Sequence, residues 1–368
     1  MTTRGLHEQR TAALVGIALG IAFTLCFATG LLSHLIQYPP SWFAWPSRPA
    51  GLYRITQGVH TICGFVSIPL LLAKLWIVYP KLFEWPPVRS VVHGLERLSL
   101  LPLVGGGLFM VMSGTANVAR WYPWTFFFPT AHYWVAWVTF GALAVHLGAK
   151  WLIVREQVGP RSEARLDAIE PDRRRFLGGL AATAGITFLA VAGNTIRPLS
   201  RVAALAQRRP GTGPQGVPVN KSAHDAGGVR ARAHDPGYRL VVEGRVGRRL
   251  ELTLADLQAM PQRSATLPIA CVEGWSTSAR WTGVPVRDLL EAAGAAATAV
   301  VAVESFQKGG LYRRSDLGPS HANDPDTLLA LRLDGEPLHI DHGFPVRLIG
   351  PNRPGVLQTK WVERLVVS

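Results

Sequence analysis

"CVEGWSTSARWTGVPVRDLL", residues 271–290, decides how the C-terminal part of this 368-residue chain is read. The alternating run "SATLPIA" before it ends at Cys271, a glycine turn follows at Gly274, a second alternating run begins, and "VPVRDLLEAAG" then takes helical spacing. Strand, turn, strand and helix in this order are the pieces of a mixed α+β domain. The chain has 3 cysteines, and the other two, Cys26 and Cys63, lie in apolar runs where small buried side chains are ordinary. Cys271 therefore has no disulfide partner nearby and is inert packing, a nucleophile or a ligand to a soft metal. A nucleophile needs a positioned base; His321, His339 and His342 are candidates, but no accompanying pattern supports that chemistry. Zinc needs three or four ligands, and neither Cys-x-x-Cys nor His-x-x-x-His spacing is present to supply them.

Outward from this stretch, "YRLVVEGRV", "LELTLADLQAM", "AVVAVESF", "PVRLIGP" and "KWVERLVV" continue the pattern of short strands over residues 238–368. Before residue 197 the character changes. Five runs, about 11–36, 57–79, 98–118, 132–153 and 176–196, are long enough to cross a bilayer, which takes roughly 20 apolar residues. The formal charge of +14 is distributed by topology. With the N-terminus inside, the inner segments hold Arg4, Arg10, Lys81, Arg89, Arg97, Lys150, Arg155, Arg161, Arg165 and Arg173 to Arg175, and the opposite loops only Arg48, Arg54 and Arg120. This positive-inside asymmetry places the C-terminal domain on the extracytoplasmic side of a multi-pass cell-membrane protein. No basic stripe with interleaved aromatics is present, which excludes a nucleic-acid partner. The expected fold is a transmembrane bundle of four helices over 1–155, a cytoplasmic loop and fifth span over 156–196, a linker of little regular structure over 197–237, and the α+β domain over 238–368.

Histidines on the spans carry further information, because polar groups inside a membrane are costly and usually functional. His132 and His146 lie fourteen residues apart on one run; at about 1.5 Å and 100° per residue they share a face, about 21 Å apart, one near each membrane surface. By depth, His60 pairs with His132 at the outer level, with His34 as its competitor, and His93 pairs with His146 at the inner level. Two neutral imidazoles from facing helices are what a b-type haem requires, so two haems are expected. "GGG" at Gly105 to Gly107 is expected to let a macrocycle approach the backbone. The aromatic cluster "RWYPWTFFFPTAHYW", residues 120–134, reads as an interfacial belt in contact with lipid. Over about residues 11–153 the spacing and topology resemble the four-helix di-haem cytochrome b membrane subunits that exchange electrons with quinones, which implies the quinone/quinol pool as partner.

"DRRRFLGG", residues 172–179, precedes an apolar run and resembles a twin-arginine export signal, with Asp172 where serine or threonine is commoner. That route carries domains already folded around a cofactor. "ALA" at 204–206 has the composition of a cleavage site, but cutting there would part the domain from its cytochrome, and retention is expected.

"CVEGWSTSARWTGVPVRDLL", followed by "DTLLALRLDGEPLHIDHGFPVRLIGPNRPGVLQTKWVERL" over 326–365, resembles the molybdopterin domain of the sulfite oxidase superfamily, nearest the bacterial periplasmic methionine sulfoxide reductase branch. The resemblance implies that Cys271 supplies a thiolate to molybdenum, that His342 and Arg347 contact the pterin, and that Gln358, Thr359 and Lys360 form its phosphate-side clamp. It implies a molybdopterin-dependent oxidoreductase that takes electrons from quinol through the haems to reduce a small or protein-bound sulfoxide or an N-oxide. Run backwards, the same parts make a sulfite dehydrogenase feeding quinone. A haem electron carrier with a non-catalytic outer domain, and self-association into a homo-oligomer, complete the expectations. "PGVLQTKW" lacks the glycine, aromatic and serine usual in the last motif, and the reductase's N-terminal extension is missing.

Overall fold

The computed structural model describes residues 9–158, 171–206, 208 and 210–368; the expected inner loop with Arg161 and Arg165 lies outside them. Two compact units are formed. The first comprises Met1–Leu32, Gly58–Gly193 and Arg201–Gln207, the second Ser33–Gln57, Asn194–Ser200 and Arg208–Ser368.

Five long helices run through the first part of the chain: α1 (Gln9–Gln37), α2 (Leu52–Leu82), α3 (Val91–Ala119), α4 (Phe128–Val158) and α5 (Pro171–Ala192). Four of them, over Gln9–Gln37, Leu52–Leu82, Arg97–Ala119 and Pro171–Ala192, are long and apolar enough to cross a membrane. The expected fourth span falls on α4, which has 31 residues and carries His132, Tyr133, Trp134, Trp137, His146, Lys150 and Trp151. α3 starts where Ser90 Oγ accepts the His93 backbone N–H and stops at Arg120 in the left-handed region. Leu19 and Ala22 of α1 pack against Leu70 and Leu71 of α2. Trp76, Leu101 and Trp134 are among the large apolar side chains left exposed, as residues facing lipid would be.

The second unit holds the strands and short helices: α6 (Ala223–Ala226), α7 (Val229–Ala233), β1 (Leu240–Gly244), β2 (Leu250–Leu252), α8 (Leu254–Ala259), β3 (Arg263–Ala270), β4 (Ser276–Pro285), α9 (Val286–Ala292), β5 (Val301–Ser305), β6 (Arg314–Leu317), α10 (Pro319–Ala322), β7 (Leu328–Leu333), β8 (Glu336–Pro337), β9 (Arg347–Ile349) and β10 (Val362–Val367). One sheet has the order β2-β1-β10-β5-β6, and the other β3-β4-β7-β8 with β9 also on β7. β1 and β10 run parallel; the other pairings are antiparallel. Val242, Val303 and Leu365 from the first sheet, Val284, Leu329 and Leu348 from the second, and Leu289 of α9 form one buried core. Leu365→Ala is expected to cost about 2–5 kcal/mol, read as a fall in the thermal midpoint of this unit.

Two expectations change here. Residues 197–237 are not an irregular linker: Ala223, Ala226, Val229 and Ala233 of α6 and α7 are buried against Phe306 and Trp361. The segment between α1 and α2 is also part of this unit. Asn352, held at φ 54, spends every polar group on it. Its backbone N–H donates to the Ala50 carbonyl at 3.0 Å, its amide to the Pro46 carbonyl at 2.7 Å. In return it accepts from Trp45 Nε1 at 2.8 Å and from the Tyr53 N–H at 2.7 Å. Arg48 adds a bidentate pair with Asp324 at 2.9 Å and a contact with Asp326.

Candidate functional site

Cys271 lies at the end of β3 with 1% of its surface exposed. Its N–H donates to the Trp275 carbonyl at 2.9 Å and its carbonyl accepts from Gly274 N–H at 3.0 Å, so the thiol sits at the base of a closed turn. Gly274 takes φ 89, which a side chain would resist. Glu273 is held by Arg208 and accepts from Trp275 Nε1 at 3.1 Å. Ala270 bridges to Pro354, and a Cβ on Gly355 would lie 3.5 Å from the Cys271 Cα, so the segment ending in "LQTKW" runs beside the thiol.

That segment and the 342–347 loop bring two cations inside. Arg347 is 2% exposed; its guanidinium donates to the carbonyls of His342 at 3.1 Å and Gln358 at 3.3 Å and lies 4.9 Å from the Trp281 ring. Its Nε has no hydrogen-bond partner. Lys360 donates to the carbonyls of Lys221 at 2.8 Å and Asp341 at 2.7 Å. Among the described residues neither cation has a carboxylate within ion-pair distance. Burial pushes Arg347 down to about 9, and burial, then Arg347, push Lys360 well below its ordinary range, with Cys271 acting the other way. Gly343 (φ 108) closes the loop where a Cβ would meet the Arg347 Cβ at 2.8 Å and the Lys360 Cβ at 3.1 Å. A buried arginine with an orphaned N–H and a half-buried lysine, neither neutralised, are a site that a bound anion completes, and a buried thiol beside them fits a soft metal. The donor set therefore fits a molybdenum pterin phosphate.

His342 is buried and its Nε2 lies 2.7 Å from the Pro214 carbonyl. The side chains of Gln358 and Thr359 are engaged within the protein. The Gln358 amide accepts from the Gly350 N–H and donates to its carbonyl, both at 2.9 Å, and Thr359 Oγ1 pairs with Ser315 Oγ at 2.7 Å. Both brace the loop from behind.

In the first unit the rings of His60 and His132 lie 6.4 Å apart. His60 Nδ1 is 2.9 Å from the Cys26 carbonyl, and His132 Nδ1 is 3.0 Å from Ser113 Oγ. With each Nδ1 engaged, Nε2 is the nitrogen turned to a ligand role, which fits a shared metal. Glycines make room for both rings: a Cβ on Gly30 would sit 2.9 Å from His60, and one on Gly114 3.6 Å from His132. The expected "GGG" behaves differently. Gly106 admits Thr139 of α4, whose Oγ1 would be 2.1 Å from an added Cβ, so it serves helix packing. His34 lies beside Tyr38, ring to ring 5.0 Å. His93 sits in the first turn of α3, where its Nδ1 accepts from the Arg89 N–H at 3.2 Å. His146 follows His132 on α4.

Sequence reasoning passed over several residues. Tyr312, in the turn Leu311–Arg313, has its hydroxyl pushed above the ordinary range by burial first, with Tyr38, Tyr53 and Cys271 adding to it. Its flanking "KGG" and "RR" were the available signal. Arg353, within "GPNRPG", was among those passed over, while His321 was already a candidate base in the sequence; both are 5% exposed. Burial lowers His321 to about 3, helped by Arg353, and His342 to about 4, helped by Arg347 and Lys360. The unfolded chain takes up protons near pH 6.5 that these folded groups refuse, so stability falls as pH drops from 7 toward 4. From pH 7 to 5 each contributes about 2 kcal/mol of loss. The thermal midpoint followed against pH checks this, and His321→Gln is expected to flatten the slope.

Residues 226–368 match the model of a family described as oxidoreductase molybdopterin binding domain. The C-terminal part of the chain is thus a molybdopterin oxidoreductase domain of the sulfite oxidase type, beginning some way into the expected linker. Among curated relatives, a protein of Azospira oryzae described as "Putative protein-methionine-sulfoxide reductase subunit YedZ1" is 34% identical over 36% of this chain and 49% of its own length. The mitochondrial sulfite oxidase of Rattus norvegicus is 34% identical over 36% of this chain and 29% of its own. Among solved structures, the sulfane dehydrogenase SoxCD of Paracoccus pantotrophus matches at 26% identity and a TM-score of 0.33, covering 36% of this chain and 38% of that one. The chain spans about half or less of the length of the curated relatives named.

Proposed function

We propose that this chain is a membrane-anchored molybdenum oxidoreductase that draws electrons from quinol through b haems and reduces sulfoxides of the methionine sulfoxide type or N-oxides. The observation that carries the reading is the buried Cys271 thiol beside buried Arg347 and half-buried Lys360, neither with a carboxylate at ion-pair distance among the described residues. In this reading Cys271 supplies the thiolate, Arg347 and Lys360 hold the anionic pterin, and His342 orients the loop between them. When bound, the molybdenum pterin supplies two-electron oxygen-atom exchange with substrate. The overall reaction consumes two electrons and two protons: the sulfur–oxygen bond of the sulfoxide breaks, sulfur is reduced to the thioether, and the oxygen leaves as water. Tyr312, protonated at neutral pH and close to Cys271, is the residue of this chain placed to hold a proton near the substrate oxygen. His60 and His132 hold the outer haem. His93 and His146 are assigned to an inner one, and the C-terminal domain is assigned to the extracytoplasmic side behind the "DRRRFLGG" signal. The name of the Azospira oryzae relative supports the sulfoxide substrate.

A second reading, sulfite oxidation with electrons passed inward to quinone, is favoured by the likeness to rat sulfite oxidase. Reduced-quinol consumption with methionine sulfoxide, against sulfite-dependent haem reduction, separates the two. Activity in neither assay, on protein shown to hold molybdenum, would sink both. Lys360→Met and Arg347→Met are each expected to lower bound pterin roughly tenfold or more, measured by fluorescence of the released, oxidised pterin. Unchanged pterin content in both variants would overturn the anchoring roles.

A further inference from the structure

The Cys271 turn is held at four points by residues outside its own strand pair. Gln57 Nε2 donates to the Val272 carbonyl at 3.2 Å, and Thr195 Oγ1 to the Gly274 carbonyl at 3.3 Å. Ser276 N–H donates to the Asn194 carbonyl at 2.8 Å, and Arg208 pairs with Glu273. Gln57 is the holder next to the thiol. It belongs to the opening turns of α2 and is 6% exposed, a position where a carboxamide costs free energy unless it is bonded. Its other end is fixed too. Gln57 Oε1 accepts from the Tyr53 hydroxyl at 3.4 Å, and that hydroxyl lies 3.1 Å from Ser33 Oγ. Tyr53, 1% exposed, is itself tied to Asn352. With its oxygen engaged from behind, the amide can only present its NH2 toward Val272.

We propose that Gln57 is a positioning residue for the metal-ligand turn, setting the direction in which Cys271 presents its sulfur. The inference rests on the reading of Cys271 as the molybdenum ligand. Two backbone bonds close the turn across Gly274 at φ 89, and neither of them fixes the Val272 carbonyl. Fixing the peptide after Val272 removes rotation at the residue adjoining the thiol. Metal sites demand such support, since a ligand loose by more than about 0.5 Å weakens the centre. A residue 215 positions earlier in the chain provides such a bond.

The test uses the full chain in detergent, purified both with and without molybdenum cofactor, and compares Gln57→Leu with the parent. Two readouts need no turnover: hydrogen exchange of the peptide covering 271–276, and the alkylation rate of Cys271 in the cofactor-free protein. Loss of one buried hydrogen bond predicts exchange and alkylation each faster by about tenfold, with exchange over Val301–Ser305 and Val362–Val367 unchanged. Turn exchange equal to the parent's overturns the proposal. Should Gln57→Leu loosen the sheet as well, Gln57→Met is read in its place, since it keeps the length and loses the donor; the same two outcomes then apply. Metal analysis of the parent separates the two ideas. A parent without molybdenum defeats the cofactor reading, while the exchange data still decide whether Gln57 holds the turn.

Discussion

On the proposed reading, Cys271→Ser is expected to yield a chain that keeps its helices, its sheets and its haem spectrum and contains almost no molybdenum. Sulfur and oxygen differ little in volume, and Cys271 sits in a pocket formed with Trp275, Ala279 and Trp281, so the fold tolerates the exchange. What changes is the donor. A hydroxyl stays protonated and hard where the metal prefers a soft, ionised sulfur. Losing a partner outside the metal's immediate ligands costs 10–100-fold in metal affinity, and losing the thiolate itself is expected to cost more than about 100-fold. Metal analysis alongside turnover with methionine sulfoxide checks this. A serine variant with full molybdenum and full rate would show that the thiol is a packing residue, and the reading of the site would go with it.

The second large effect is on the haem. With the two b haems proposed, His132→Ala is expected to remove one of them and halve the b-type absorption band, because His60 is then left alone opposite a hole. His60→Ala is expected to do the same, and His34→Ala to leave the spectrum intact. The choice between His60 and His34 follows from geometry: His60 is the ring 6.4 Å from His132, while His34 packs on Tyr38. Ser113→Ala is a milder probe, since Ser113 only steers Nδ1 of His132 and is expected to shift the haem potential without loss of iron. A spectrum unchanged by either His132→Ala or His60→Ala would make this pair a packing contact.

The parts legible in the sequence were those written locally. Runs of apolar residues long enough to cross a bilayer reappear as α1, α2, α3 and α5, and strand, turn, strand and helix around Cys271 reappear as β3, β4 and α9. What escaped reading depends on distant partners. Residues 223–233 carry alanine, histidine and glycine in place of an apolar run, and only Phe306 and Trp361 make a core of them. Gln57 looked like a polar residue near a helix start, because its partner lies at Val272. Within the triple glycine the sequence could not say which position serves what: small residues serve helix contacts and ligands alike, and at Gly106 it is Thr139 that takes the space. Gln358 and Thr359 matched a motif by position, yet their bonds to Gly350 and Ser315 are visible only in three dimensions.

The four bonds of Asn352 to residues 45–53 also bear on how the molecule comes into being. Trp45 is separated from Asn352 by 307 positions, so the ribosome makes one half of this contact long before the other. Contacts of such separation form late, since closing so long a loop must precede any gain from it. The second unit therefore has an early strip whose partner, Asn352, is made 307 residues after Trp45. Ribosome-stalled chains ending before Asn352 should hold residues 45–53 open to protease, and release of the full chain should close them in a single step.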